Sequence, residues 1–190
     1  MHPRIALLSI VLLPTLGAAV PFEKRGLFIP SWEVEVTPGG ETVVLNGTIE
    51  EVHDELIKLN PKWDEDFPVK KRDLPKRTDF SGSDYSCQGR WEACSSSYIY
   101  QGIEYLRKVK GRPGNGAGPG NCGRVSCSWN SAIYWCNDDS KGKLLESFGS
   151  IADGAEKILD KCTYGAMLQW TSGQVFHETN WNVIVRKDDC

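Results

Sequence analysis

All seven cysteines of the chain, Cys87, Cys94, Cys122, Cys127, Cys136, Cys162 and Cys190, lie beyond Arg77, and the first 77 residues contain none. This asymmetry limits the fold more than any other feature, because cysteines at that density in an oxidising compartment are staples of a small domain. Zinc would need close pairs such as Cys-x2-Cys joined by a second pair or by histidines. The intervening stretches are 6, 27, 4, 8, 25 and 27 residues long and supply none. No metal or cofactor is expected. Seven is odd, so one thiol is free, buried or paired between molecules, and spacing alone does not choose the pairs. Cys162 ends a helical pattern and Cys190 ends the chain, which places each to fasten the terminal strand.

The opening MHPRIALLSIVLLPTLGAAVPF has one arginine, an apolar run from Ile5 to Leu16 and small residues at 17–19. That is the layout of a secretory signal peptide cut after Ala19, and the run is too short for a good membrane span. The expected location is extracellular, with no stable membrane insertion. Between this segment and the first cysteine lie three dibasic pairs, Lys24-Arg25, Lys71-Arg72 and Lys76-Arg77. Such pairs at a proline-containing junction resemble cleavage signals of kexin-type proteases of the late secretory pathway. The chain therefore divides into signal 1–19, propeptide 20–77 and a mature cysteine-rich domain 78–190. Arg77 is the preferred last cut, because Asp73 follows Arg72 and is a poorer residue after a cut than Thr78. The competing reading keeps the pairs as a solubilising linker between two retained domains. Residues 78–190 carry 12 Lys and Arg against 13 Asp and Glu, which excludes wholesale neutralisation of phosphates and makes nucleic acid a poor partner.

Residues 32–36 (WEVEV) alternate as a half-buried strand, Pro38-Gly39-Gly40 turns the chain, and ETVVL returns. Thr48 and Glu51 form a capping box, and Ile49, Val52, Leu56 and Leu59 share a helical face. Asn46-Gly47-Thr48 is an N-glycosylation sequon and places a glycan at Asn46, on the propeptide. A patterned leader of this kind is expected to fold with the mature domain or to shield it, docking at an exposed strand edge.

Beyond Arg77, a helix entered at Ser96 or Ser97 buries Ile99, Ile103, Leu106 and Val109 and pairs Glu104 with Lys108 outside. Residues 111–121 hold five glycines and two prolines in eleven positions and read as a long mobile loop. The next segment alternates Val125, Cys127 and Trp129 with polar residues, turns at Asn130-Ser131 and returns from Ala132 to Cys136. A helix capped by Ser147 buries Phe148, Ile151, Ala155, Ile158, Leu159 and Cys162, with Gly154 marking a close approach. Strand patterns follow at AMLQW, QVFH and WNVIVR, with a turn at Thr171-Ser172-Gly173. Without repeated strand-helix-strand units, the fold class is α+β: an antiparallel sheet with two helices on one face, preceded by a β-hairpin and helix in the propeptide.

Candidate chemistry is sparse. His177 is the one histidine after Arg77, and a ribonuclease-type set would have to borrow Glu104 or Glu178 and Arg124. Oxidised cysteines make poor nucleophiles, and no Gly-x-Ser-x-Gly elbow occurs. Aromatic residues are the other lead. Trp129, Tyr134, Trp135, Trp170 and Trp181 fall on strand patterns, and Tyr134 and Trp135 must face opposite sides, so one of them is expected at the surface. Trp135 is the first binding candidate, with Tyr134, Trp181 and His177 beside it and the loop 111–121 nearby; ordinary core packing is the competing role.

The stretch GNCGRVSCSWNSAIYWCND, the helix ending in Cys162 and the ending NWNVIVRKDDC resemble small secreted fungal proteins of the effector or killer-toxin-like type. The resemblance implies an α/β sandwich closed by a helix-borne cysteine and a C-terminal strand. It also implies a non-enzymatic virulence or antagonism protein that binds a host or competitor target outside the producing cell. A cell-wall carbohydrate-binding module and a secreted ribonuclease-like hydrolase are the alternatives.

Overall fold

A computed structural model describes residues 27–68 and 77–190. The expected signal segment and Lys24, Arg25, Lys71, Arg72 and Lys76 fall outside these residues. Among them the order is β1 Ser31–Glu35, β2 Thr42–Asn46, α1 Ile49–Leu59, α2 Trp63–Asp66, β3 Tyr85–Cys87, β4 Cys94–Ser95, α3 Ser96–Lys108 and β5 Gly114–Asn115. There follow β6 Asn121–Ser128, β7 Ser131–Asn137, β8 Lys143–Leu144, α4 Phe148–Cys162, β9 Trp170–Thr171, β10 Gly173–His177 and β11 Trp181–Lys187.

The α+β class holds. Five strands form an antiparallel sheet in the order β3-β10-β11-β7-β6. Helices α3 and α4 pack together on one face, and α1 joins them against β6, so the helical layer contains one more member than the cysteine-rich part alone supplies. Gly154 lets α4 approach β11: a Cβ there would lie 2.6 Å from Val183 and 3.0 Å from Phe80. The opposite face is covered by Trp91, over whose ring the Arg186 guanidinium lies at 5.3 Å, and it contains Cys122, Cys136, Tyr134 and Ile184.

Residues 27–68 fold with the rest. Thr48 caps α1 in the expected box with Glu51. Trp32, Val34, Ile49, Val52, Leu56 and Trp63 enter the same apolar cluster as Ile99, Trp135, Phe148 and Val183. The stack of Trp32 on Phe148, with centroids 4.2 Å apart, joins the two parts at their centre. Phe28 reaches the free edge of β6, where its N–H donates to the Cys122 carbonyl at 3.1 Å. Leu59 departs from the expected face and is exposed, because Asn60 ends the helix and turns the chain toward α2.

Several sequence expectations change. Lys108 pairs with Asp64 of the amino-terminal segment at 3.5 Å, where Glu104 was expected. Val125 and Cys127 do not share a face, because a bulge between Arg124 and Ser126 shifts the register and moves Cys127 to the side away from the helices. Of the AMLQW stretch, Trp170 alone lies on a strand, β9, which it forms with Thr171, and Met167 and Leu168 are exposed. Thr171 and Ser172 are buried on the way into β10, not in a surface turn. The disulfides are Cys87–Cys162, Cys122–Cys136 and Cys127–Cys190. Cys162 thus secures β3 instead of the last strand, and Cys190 clips the tail back to β6.

Candidate functional site

The β6–β7 hairpin closes through Ser128 opposite Ser131, which leaves Trp129 and Asn130 as a two-residue turn. Both have positive φ, 47° and 57°. A right-twisted hairpin favours such a turn, and asparagine suits it, whereas a bulky side chain there is strained. The turn therefore begins one residue earlier than Asn130-Ser131, and Trp129 is not on a strand. It is 75% exposed, the most of any aromatic side chain among the described residues, with its ring stacked on Tyr98 at 5.8 Å and 18°.

Tyr98 lies in the first turn of α3, and Ser95, the residue just before this helix, pairs with Trp170 on β9. The hairpin turn and the β9 loop therefore flank one helix end. The loop adds exposed Tyr164, Met167, Leu168 and Trp170. Cys94, the free cysteine, lies beneath this junction. Burial pushes its thiol up to about 11, so it is held protonated while its Sγ lies 3.5 Å from the Thr171 carbonyl. The result is an apolar, aromatic pole over the buried Cys94.

The side chains singled out in the sequence are placed elsewhere. Trp135 and Ile133 share the helix-facing side, and Trp135 is core, with Phe28 edge-on at 6.2 Å. Tyr134 is buried on the other side, so neither member of the pair reaches the surface. Its hydroxyl donates to the Asp188 carboxylate, and burial, followed by that carboxylate, pushes the phenol up to about 12. Trp181 is buried between Phe80 and His177. His177 stacks on Trp181 at 4.8 Å and takes Thr179 as its Nδ1 partner at 2.9 Å; desolvation lowers its pKa. Arg124 is engaged by Asp188 and by the Asp189 carbonyl. It lies three strands from His177, roughly 14 Å across the sheet by ordinary strand spacing. His177 and Arg124 are therefore not brought together.

The glycine-rich loop is built rather than loose. Gly114–Asn115 pairs with Lys143–Leu144, and buried Asn137 donates through Nδ2 to the Gly116 and Lys141 carbonyls, both at 2.7 Å. It closes the end of the hairpin away from Trp129. Asn46 is exposed at the end of β2 and accepts from Ser31 at 2.6 Å, a position open to a glycan. No group of three or more His, Cys, Asp or Glu among the described residues could hold a metal ion, and none of their helices is long and apolar enough to cross a membrane.

A charged cluster surrounds the remaining candidate, Arg77. Its guanidinium lies 2.9 Å from Glu156, which also receives Arg107 at 2.9 Å. Arg107 holds the buried Asp153 at 2.8 Å, and the Thr78 backbone N–H donates to the other Asp153 oxygen at 2.8 Å.

No protein-family model, curated protein or solved structure matches this chain.

Proposed function

We propose that the chain is the precursor of a secreted effector or toxin-like protein, which acts outside the producing cell by gripping a host or competitor target with the aromatic pole at Trp129. The observation that carries this reading is a tryptophan held outward in a left-handed turn. The ring stays mostly in solvent there, and its left-handed backbone costs about 1–2 kcal/mol, which the Tyr98 stack offsets without a net gain, so its use to the molecule lies in contact with something else. Exposed apolar surface around it supplies the buried centre that a protein interface needs. Three disulfides suit an oxidising exterior, and helices on one face of an antiparallel sheet suit a killer-toxin-like sandwich.

The outward face of the indole favours a second reading, stacking on a sugar ring of a cell wall. One experiment separates them. Labelled secreted protein is offered to insoluble chitin and glucan, and to wall-free plant and fungal protoplasts with and without prior surface proteolysis. Protease-sensitive protoplast binding that Trp129→Asn abolishes supports the effector reading. Retention on chitin or glucan replaces it with the wall-binding module, and full binding by Trp129→Asn removes the aromatic pole from both.

A further inference from the structure

We propose that Asp153 is a preformed receiving site for the amino terminus created by cleavage after Arg77, an inference that rests on the maturation reading. The geometry before the cut already has the required form. The Thr78 N–H points at a buried Asp153 oxygen 2.8 Å away, and the other oxygen of that carboxylate is fixed by Arg107 from α3. Asp153 belongs to α4, so the contact anchors the incoming chain to the helix pair. Two residues on, Phe80 packs edge-on against Trp181 and His177 and covers Gly154.

Hydrolysis adds water across the Arg77–Thr78 peptide bond. The hydroxyl goes to the Arg77 carbonyl carbon, which becomes a carboxylate. The nitrogen leaves as an amine and is protonated to ammonium. Before the cut, Asp153 and Glu156 face the guanidiniums of Arg77 and Arg107. Afterwards the carboxylate on Arg77 is repelled by both acids, and when that residue departs the Thr78 ammonium replaces the cation it takes away. Charge in the cluster stays balanced, and a neutral hydrogen bond becomes a charge-assisted one. Lys157 and Asp160 border the same depression and carry opposite charges. A new chain end would ordinarily fray; here it is tied down, so Phe80 stays in place.

The test uses precursor secreted by a host with kexin-type activity, with reductive methylation of the product at neutral pH followed by mass spectrometry. Each unit by which Asp153 raises the amine pKa lowers the reactive neutral fraction about tenfold, so the Thr78 amine should react at least about ten times more slowly than in an unfolded peptide with the same start. Asp153→Asn should restore the peptide rate. Because that change also strips Arg107 of a partner, a second variant carries one serine inserted between Arg77 and Thr78, which moves the ammonium off the site and should restore the rate as well. A product starting at Thr78 that reacts at the peptide rate overturns the inference alone. A product starting elsewhere, read in the same spectra, overturns the cut and the inference with it.

Discussion

Residues 77–190 contain three disulfides and residues 27–68 contain none, yet both parts place fully buried tryptophans in one core, Trp135 from the first and Trp32 from the second. The shorter part first holds itself together. The Trp32 and Trp63 indoles donate to the Gly47 and Glu35 carbonyls at 2.9 and 3.0 Å, and Asn60 donates to the Val36 carbonyl at 2.9 Å. Among the described residues it meets the larger part through packing, the Phe28 strand contact, the Asp64–Lys108 pair and Glu50, which accepts from the Ser126 hydroxyl and, at 2.9 Å, from the Cys127 N–H. Covalent staples limit the unfolded chain of one part, whereas the other has no staple and adds native contacts to its single backbone connection. A cut between them would leave a joint that dilution or mild denaturant can open while the disulfide-bearing part stays stapled.

The largest effect should come from the centre of the joint. Trp32→Ala removes the partner of Phe148 and leaves a cavity in the shared core, so the uncut chain should lose about 3–5 kcal/mol in urea denaturation. A loss under about 1 kcal/mol would make residues 27–68 a surface cover and dissolve the comparison. Next is the staple that closes the larger part. Replacing Cys127 and Cys190 together by alanine should cost about 2–4 kcal/mol, mostly by freeing the unfolded chain, and should leave the Trp32–Phe148 contact intact in tryptophan fluorescence. Equal disturbance of that fluorescence would mean that the tail clip also shapes the joint.

Glu50 sharpens the contrast at a single side chain. Glu50→Gln keeps the shape but leaves one acceptor oxygen where two accepted, so the Cys127 N–H bond becomes neutral and the Ser126 hydroxyl must reverse to accept from the amide, which should cost about 1–2 kcal/mol in the same denaturation. Ser126→Ala combined with it should recover part of that loss, because the pair is coupled. Strict additivity would assign the cost of Glu50→Gln to the helix start instead.

What could be read from the sequence was local. The Thr48–Glu51 capping box, the stripe Ile99, Ile103, Leu106 and Val109, and the close approach at Gly154 follow from spacing and sterics within one element, and the structure contains them. What failed depends on contacts between elements. β3 is three exposed residues with no alternation, recruited by the edge of β10. The bulge at Val125 reverses Cys127, and alternation alone gives no sign of an extra residue. Lys108 prefers Asp64 from a segment 44 positions away to its own helix neighbour. The candidate site suffered the same way. Alternation extends the strand pattern through Trp129, whereas Asn130, which tolerates left-handed backbone, is the available signal for a turn starting at 129.

The smallest expected effect tests the idea that the pole is kept for contact and not for folding. Trp129→Asn exchanges a strained residue for one suited to the first turn position, a gain of about 1 kcal/mol. It also loses the stack on Tyr98, which an aromatic pair makes worth about 0.5–1.5 kcal/mol. The two terms nearly cancel, so the melting temperature should move by no more than about 3 °C while target binding falls. Tyr98→Ala alone should destabilise, because it loses the stack with no relief of the turn. Combining both changes should cost less than the sum, with a coupling of about 0.5–1.5 kcal/mol. A large destabilisation by Trp129→Asn would show that the ring is structural despite its exposure. The pole would then belong with the stapled framework, and the binding surface would have to be sought elsewhere on the molecule.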